Sequence, residues 1–129
     1  MSDVDHVRVL AQEEDVLLDP DRLQSLYDQL GDVEAEDVVC RAMEELAIRL
    51  SLVERLYRQD RRAEMRKAAR SLTGIAEQIG MDTLCRVAGD VIYCIDAHDP
   101  VALAATLSRL LRTGERSLSE IWDLQGMHL

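Results

Sequence analysis

The sequence predicts an all-α protein, an up-down bundle of four main helices with a short extra N-terminal helix. Apolar residues recur at alternating spacings of three and four, as in amphipathic helices, and no segment alternates with period two for the length of a strand. The 129 residues include only 6 Gly and 2 Pro, which is few for a turn-rich β protein. Aromatic residues make up 3% of the chain and Phe is absent, so the predicted core is aliphatic.

Two Asp-Pro pairs mark helix starts, because Asp is a favoured N-cap and Pro fits the first helical position. The first pair, Asp19 and Pro20, begins the short helix, which stops at Gly31. Residues 1–16 are predicted to be an acidic tail or a weak helix, and residues 17–129 the bundle.

The second helix begins near Asp32, and polar residues from Gln59 mark its end. Its apolar seam is Val39, Met43, Leu46, Leu50, Val53 and Tyr57. The third helix runs from about Arg61 to Ile79, with Gly80 as a left-handed cap. Its buried stripe is Met65, Ala68, Leu72, Ile75, Ala76 and Ile79.

Asp82 can cap a fourth helix, and the second Asp-Pro pair, Asp99 and Pro100, begins the fifth. The stripe of the fourth helix is Leu84, Val87, Ala88, Val91, Ile92 and Ile95. The stripe of the fifth is Val101, Ala104, Leu107, Leu111, Leu118 and Ile121. Because the connections are short, the third and fourth helices should pair antiparallel. The residues expected in that pairing are Leu72, Ile75, Ile79, Leu84, Val87 and Val91.

Charge and hydropathy exclude several classes of function. The net charge of −10 argues against nucleic acid or an anionic membrane as the main partner. No apolar run approaches the ~18 residues of a membrane span, and charges stand where a signal peptide needs an apolar block. Three Cys, an odd number without Cys-x-x-Cys spacing, favour a reduced, cytoplasmic protein.

The candidates for catalysis or metal binding are weak. Di-iron bundles need Glu-x-x-His pairs, and none of the three histidines has a Glu three residues before it. These histidines, interpreted as solvated polar residues, are His6, His98 and His128. The cysteines, interpreted as small buried hydrophobes, are Cys40, Cys85 and Cys94. No nucleophile-elbow spacing supports a Ser-His-Asp triad. We expect no enzyme, no cofactor, no metal and no small-molecule substrate.

Charge is unevenly distributed along the chain. Residues 55–70 carry seven basic side chains against two acidic ones. Helical spacing puts five residues on one stripe, opposite the core stripe: Arg62, Arg66, Arg70, Thr73 and Glu77. Like charges at i, i+4 cost about 0.2–0.5 kcal/mol per pair, which indicates that the stripe meets something negative. One alternative is an acidic partner, and the other is neutralisation by the acidic tail, whose residues are Asp3, Asp5, Glu13, Glu14 and Asp15.

At this stripe the chain resembles the histidine-containing phosphotransfer (HPt) domain family. In that family a helix carries His-x-Leu-Lys-Gly, then five residues and a second Gly. Residues 69–80 read ARSLTGIAEQIG, in which Leu72, Gly74 and Gly80 keep their places, and residues 82–84 continue as in the family. The lead-in Leu18-Asp19-Pro20 and the long helix that follows it are also similar. The resemblance covers about residues 17–124 and implies a four-helix bundle.

Two departures change what the resemblance implies. Arg70 stands where the family has its phosphorylated His, and Thr73 stands where it has Lys. A neutral imidazole nitrogen is a nucleophile near pH 7, whereas a guanidinium has no free lone pair. Thr73 cannot supply the Lys charge beside the transferred phosphoryl group. Gly74 still allows another protein to approach closely, so the expected docking surface survives without the chemistry.

The resemblance therefore implies a pseudo-HPt that binds response-regulator receiver domains, or a histidine kinase, without accepting phosphate. Receiver domains hold an acidic, Mg²⁺-binding cluster that Arg70 could enter as a cation, with neighbouring basic residues steering the encounter. We call the expected partner-binding residues the basic face: Arg62, Arg66, Lys67, Arg70, Thr73, Gly74 and Glu77. The alternative function is a helical interaction module whose partner lies outside phosphorelay signalling.

Overall fold

The computed structural model describes residues 18–126, and this part of the chain is all-helical, with no strand. The predicted all-α class is therefore confirmed. The helices are α1 (Pro20–Leu30), α2 (Asp32–Arg58), α3 (Arg62–Gln78), α4 (Asp82–Asp96) and α5 (Pro100–Gly126). None of these helices combines the length and the apolar character that crossing a bilayer requires.

Both Asp-Pro starts are confirmed by their hydrogen bonds. The Oδ1 of Asp19 accepts from the backbone N–H groups of Asp21, at 3.0 Å, and Arg22, at 3.4 Å. The Oδ1 of Asp99 accepts from the backbone N–H of Ala102 at 3.1 Å. Each carboxylate thus satisfies N–H groups that the first helical turn leaves unpaired.

The turn between α3 and α4 requires a glycine. Gly80 has φ 77°, and a Cβ there would lie 3.0 Å from the carbonyl oxygen of Asp19. The prediction that Asp82 caps α4 is wrong, because Asp82 is already the first helical residue and the N-cap is Met81. The reason is packing, since Met81 is fully buried and takes the cap position without a side-chain hydrogen bond.

The predicted seams of α2, α3 and α4 are confirmed, because each of their residues is buried or half-buried. Among the six residues expected to pair α3 with α4, only Ile75 is not fully buried. Two contacts fix the direction of this pair. Arg66 binds Asp96, and the Cys85 thiol contacts the carbonyl oxygen of Thr73. At these two contacts the residue number rises along α3 while it falls along α4, so the two helices are antiparallel.

The predicted face of α5 is partly wrong. Val101 is 80% exposed and Ala104 is exposed, whereas Leu103 and Leu110, which the prediction omitted, are buried. Leu107 and Ile121 are buried as expected. Apolar residues occur on several sides of this helix, so periodicity alone did not select the buried one.

Small side chains on α5 decide which side packs against α2. Gly114 lies against Leu50, and its neighbours Thr113 and Ser117 are buried although they are polar. A Cβ on Gly114 would lie 2.5 Å from the Cδ1 of Leu50, so the glycine allows the close approach of the two helices.

The short helix α1 is the least buried element. None of its residues is fully buried, and its leucines are only partly covered by the core. The backbone N–H of Asp19 donates to the carbonyl oxygen of Gly80 at 2.7 Å, which ties the start of α1 to the α3–α4 turn.

Candidate functional site

The basic face lies entirely on α3, and the structure divides it into two groups. The exposed residues are Lys67, Arg70, Gly74 and Glu77, and the half-buried ones are Arg62, Arg66 and Thr73. The expectation that the whole stripe faces away from the bundle is therefore too simple. The stripe lies at the boundary with α4, which covers one edge of it.

Arg66 is held by α4. Its Nε donates to Oδ1 of Asp96 at 2.8 Å and its Nη2 to Oδ2 at 3.1 Å, a bidentate ion pair. The hydrogen bond from Arg66 is the largest cause of the lowered pKa of Asp96. The same pair raises the pKa of the Arg66 guanidinium. Much of the charge of Arg66 is therefore compensated within the bundle.

Arg62 is held at the α2–α3 turn. Its Nη1 donates to the carbonyl oxygen of Tyr57 at 3.1 Å, and its Nη2 lies 3.2 Å from Oδ1 of Asp60. The guanidinium carbon also lies 4.7 Å from the centre of the Tyr57 ring, in cation–π geometry. Arg62 thus has internal partners for both its charge and its hydrogen-bond donors.

These pairs bear on the tail-neutralisation alternative. The acidic tail residues lie outside the residues that the structure describes. Within residues 18–126, two of the arginines are neutralised by Asp96 and Asp60. The sequence interpretation missed Asp96 as a partner, although an antiparallel α3–α4 pair turning at Met81 places residue 66 beside residue 96.

Arg70 and Lys67 differ from these arginines. Both side chains are exposed, and within the described residues neither makes a side-chain hydrogen bond or an ion pair. Arg70 lies close enough to Asp96 for its charge to contribute a minor part of the lowering of that pKa. The basic face therefore presents two cations with no bonded partner of their own.

The neighbours of Arg70 along α3 leave space above the helix. An ideal Cβ on Gly74 would meet no atom within 4 Å. Thr73 turns its hydroxyl back onto the helix, where Oγ1 donates to the carbonyl oxygen of Arg70 at 2.6 Å. A protein approaching Arg70 therefore meets no bulky side chain at Gly74, one turn further along the helix.

The far end of the basic face contacts a thiol. The Sγ of Cys85 lies 3.4 Å from the carbonyl oxygen of Thr73. Burial, with smaller contributions from Glu77 and Asp82, raises the pKa of Cys85 to about 11. The thiol is protonated near neutral pH, which makes it a poor nucleophile.

The other titratable residues do not join this site. Cys94 is buried as predicted, but the prediction is wrong for Cys40, which is exposed. The thiol of Cys40 lies 3.6 Å from the amide oxygen of Gln125 and so reaches a polar partner at the bundle surface. His98 is exposed, with φ 54°, while the other two histidines lie outside the described residues.

Chemically, the described arrangement supplies cations and an open helix surface. Residues 18–126 contain no group of three His, Cys, Asp or Glu side chains that could hold a metal ion. An arginine at the centre of the face can bind anionic groups but cannot attack a phosphoryl group. No family model, no curated protein and no solved structure matches the chain.

Proposed function

We propose that this chain is a degenerate HPt-like protein of two-component phosphorelay signalling, which binds receiver domains, or a histidine kinase, without accepting phosphate. The observation that carries the proposal is Arg70, which is exposed on α3 and has no bonded partner within residues 18–126, one turn from the open surface at Gly74. The proposal places the protein in the cytoplasm and gives it no enzymatic activity, cofactor or small-molecule substrate.

The helix contacts support an HPt-like, up-down four-helix arrangement. Each helix from α2 to α5 packs against the next, and α5 packs back against α2, as in a closed ring of four. The α2–α5 contacts, Leu50 with Gly114 and Cys40 with Gln125, run in opposite directions along the two helices. In the proposed arrangement α1 is the extra short helix beside the bundle.

The side chains at the centre of the face support binding without phosphotransfer. Arg70 has no lone pair for attack on a phosphoryl group. The Thr73 hydroxyl is uncharged, and it already donates its hydrogen bond to the carbonyl oxygen of Arg70. The carboxylate of Glu77, on the same face, would repel one.

The charge of the face selects the kind of partner. Lys67 and Arg70 are the basic residues of the face that have no bonded partner within residues 18–126, so their attraction to an acidic cluster is the least compensated. A receiver active site has such a cluster. Arg66 and Arg62 would mainly position the surface, because Asp96 and Asp60 already compensate them.

The test is a binding measurement between the full chain and a panel of purified receiver domains and histidine kinases. Arg70→Glu should weaken binding by at least about tenfold, since it places a like charge against the acidic cluster. The matched control is Arg112→Glu, an equal charge change at an exposed position on α5.

The panel also separates the alternatives. Equal binding by the Arg70→Glu and Arg112→Glu chains would contradict the proposed surface. Binding to a kinase alone would select the kinase as the partner. Failure to bind any receiver or histidine kinase would contradict the phosphorelay assignment and leave an interaction module with an unrelated partner.

A further inference from the structure

A second surface of different character lies away from α3. A groove of about 730 Å³ is formed by α1, the first turns of α2 and the last turns of α5. Its volume falls within the range of about 300–1,000 Å³ that is usual for binding clefts. Its apolar lining includes Leu18, Leu23, Tyr27, Val39, Ile121 and Leu124.

Among the described residues, the charged lining of this groove is acidic. Four carboxylates line it and no Lys or Arg of residues 18–126 does: Asp32, Glu36, Glu120 and Asp123. An apolar occupant with a positive charge is therefore favoured over a neutral or anionic one.

The surface continues beyond the groove along α5. A shallower hollow of about 300 Å³ includes Met43, Leu118 and Trp122, and it shares Asp123 with the groove. Trp122 is 68% exposed, and it is the single Trp of the chain. Together the two hollows offer an apolar strip with carboxylates beside it.

A polar group beside the groove also lacks a hydrogen-bond partner among the described residues. This group is the side-chain amide nitrogen of Gln125, which is buried. An unpaired buried donor is unfavourable, so a rearrangement of this side chain that brings the nitrogen to a carbonyl oxygen of a bound chain is favoured.

We propose that this groove, together with the hollow beside it, binds a basic amphipathic helix of a partner protein. The apolar face of that helix would lie on the groove floor, and its Lys and Arg side chains would meet the four carboxylates. The occupant is a partner because the segments of this chain do not fit the groove. Residues 1–17 are acidic overall, and the basic helix α3 of a second copy already buries its apolar side in its own core. Two copies of a chain with net charge −10 also repel each other. The groove contains no residue of α3, so this inference is independent of the receiver-binding proposal.

The test measures binding of a synthetic peptide to the full chain. The peptide is a fluorescein-labelled Leu/Lys helix of about 18 residues with Leu on one face. A scrambled peptide of the same composition and a Leu/Glu peptide are compared with it. Fluorescence anisotropy should show that the amphipathic Leu/Lys peptide binds and that the scrambled and Leu/Glu peptides do not. An unlabelled Leu/Lys peptide should shift the emission of Trp122 to shorter wavelength, because the bound helix covers the indole.

Charge reversal at the groove locates the site. Glu120→Lys with Asp123→Lys should weaken binding of the Leu/Lys peptide by at least about tenfold. The matched control is Glu44→Lys with Asp90→Lys, the same change in net charge at exposed positions outside both hollows. Far-UV circular dichroism confirms that both variants are folded.

Four results would overturn the proposal. The first is equal weakening by the groove and control variants, or equal binding of the scrambled peptide, since either indicates general charge attraction. The second is an unchanged Trp122 emission at peptide saturation. The third is a wild-type dimer that the groove variant dissociates, which would make a second copy the occupant. The fourth is tighter peptide binding after Val7→Gln with Leu10→Gln, a change without charge, which would make residues 1–17 the occupant.

Discussion

Gly74 and Cys85 of the α3–α4 pair lie in surroundings opposite to those of Gly114 and Cys40 of the α2–α5 pair. A Cβ on Gly114 of α5 would lie 2.5 Å from the Cδ1 of Leu50, whereas a Cβ on Gly74 of α3 would meet nothing within 4 Å. Cys85 of α4 is half-buried against α3, whereas Cys40 of α2 is exposed. The same residue type, glycine or cysteine, is thus packed against a neighbouring helix in one pair and open in the other.

The difference identifies which glycine serves the fold. A glycine inside a helix costs about 0.5–1 kcal/mol relative to Ala. At Gly114 the cost is offset by the close approach of α5 to α2. At Gly74 no contact within the described residues offsets it, so that position is available for contact with another molecule.

The largest expected effect tests the centre of the α3–α4 pair. We expect the wild-type chain to take no phosphoryl label, and the double variant Arg70→His with Thr73→Lys to take it from a phosphorylated receiver. The imidazole supplies the nucleophile and the Lys supplies positive charge. The label should be acid-labile and should map to residue 70.

Three further chains complete this test. Arg70→His alone should be labelled more slowly, and Arg112→His on α5 should not be labelled. A folded double variant that binds a receiver without gaining label would contradict the expectation. Adding Glu77→Ala to that background distinguishes charge repulsion by Glu77 from a misplaced partner.

The next effect compares the two cysteines. With its pKa raised to about 11, the thiol of Cys85 should react with iodoacetamide far more slowly than Cys40 at pH 7.5. Its thiolate fraction is lower than that of an ordinary thiol by a factor on the order of a hundred. Mass spectrometry of peptides from the native chain measures both rates. Equal rates at pH 7.5 would mean that α3 does not shield Cys85.

The two glycines should respond in opposite directions. Gly114→Val should lower the free energy of unfolding by about 1–3 kcal/mol, because the added atoms overlap Leu50 in a packed core. Gly74→Ala should raise it by up to about 1 kcal/mol, because Ala is the better helix former and nothing obstructs it. Urea denaturation of both chains checks the signs. A Gly114→Val chain as stable as wild type would show that α5 can move away from α2 at little cost.

The smallest effect concerns the ion pair between α3 and α4. Since the folded state lowers the pKa of Asp96, the pair contributes stability above the unfolded carboxyl pKa and loses it as the pH falls through the folded value. Asp96→Asn should therefore be less stable than wild type at neutral pH and equal to it in acid. Asp90→Asn, also exposed on α4, serves as the control. A constant difference between the wild-type and Asp96→Asn chains across this pH range would point to a cause other than titration.

Local chemistry explains which features could be predicted from the sequence. Local side chains determine the helix starts at Asp19 and Asp99 and the left-handed turn at Gly80. These features could therefore be predicted from the sequence. The seams of α2, α3 and α4 were readable because each helix has one clear apolar side.

The rest depended on contacts between distant residues. The buried side of α5 is set by the approach of Gly114 to Leu50. The helical period of apolar residues does not indicate which helix packs against them. Thr73 was expected to be exposed but is half-buried, because α4 lies beside it. The ion pair that compensates the charge of Arg66 could be predicted only from the register of α3 against α4. That register places Asp96, 30 residues away in sequence, beside Arg66.

The attachment of α1 by its first residues has a consequence for local stability. This helix buries none of its residues fully, so its separation from the bundle exposes little apolar surface, and we expect it to open at a lower free energy than α3 or α4. In a hydrogen-exchange experiment its amides should exchange first, while the core helices stay protected. Because α1 forms one wall of the acidic groove, an occupant would slow exchange in this helix.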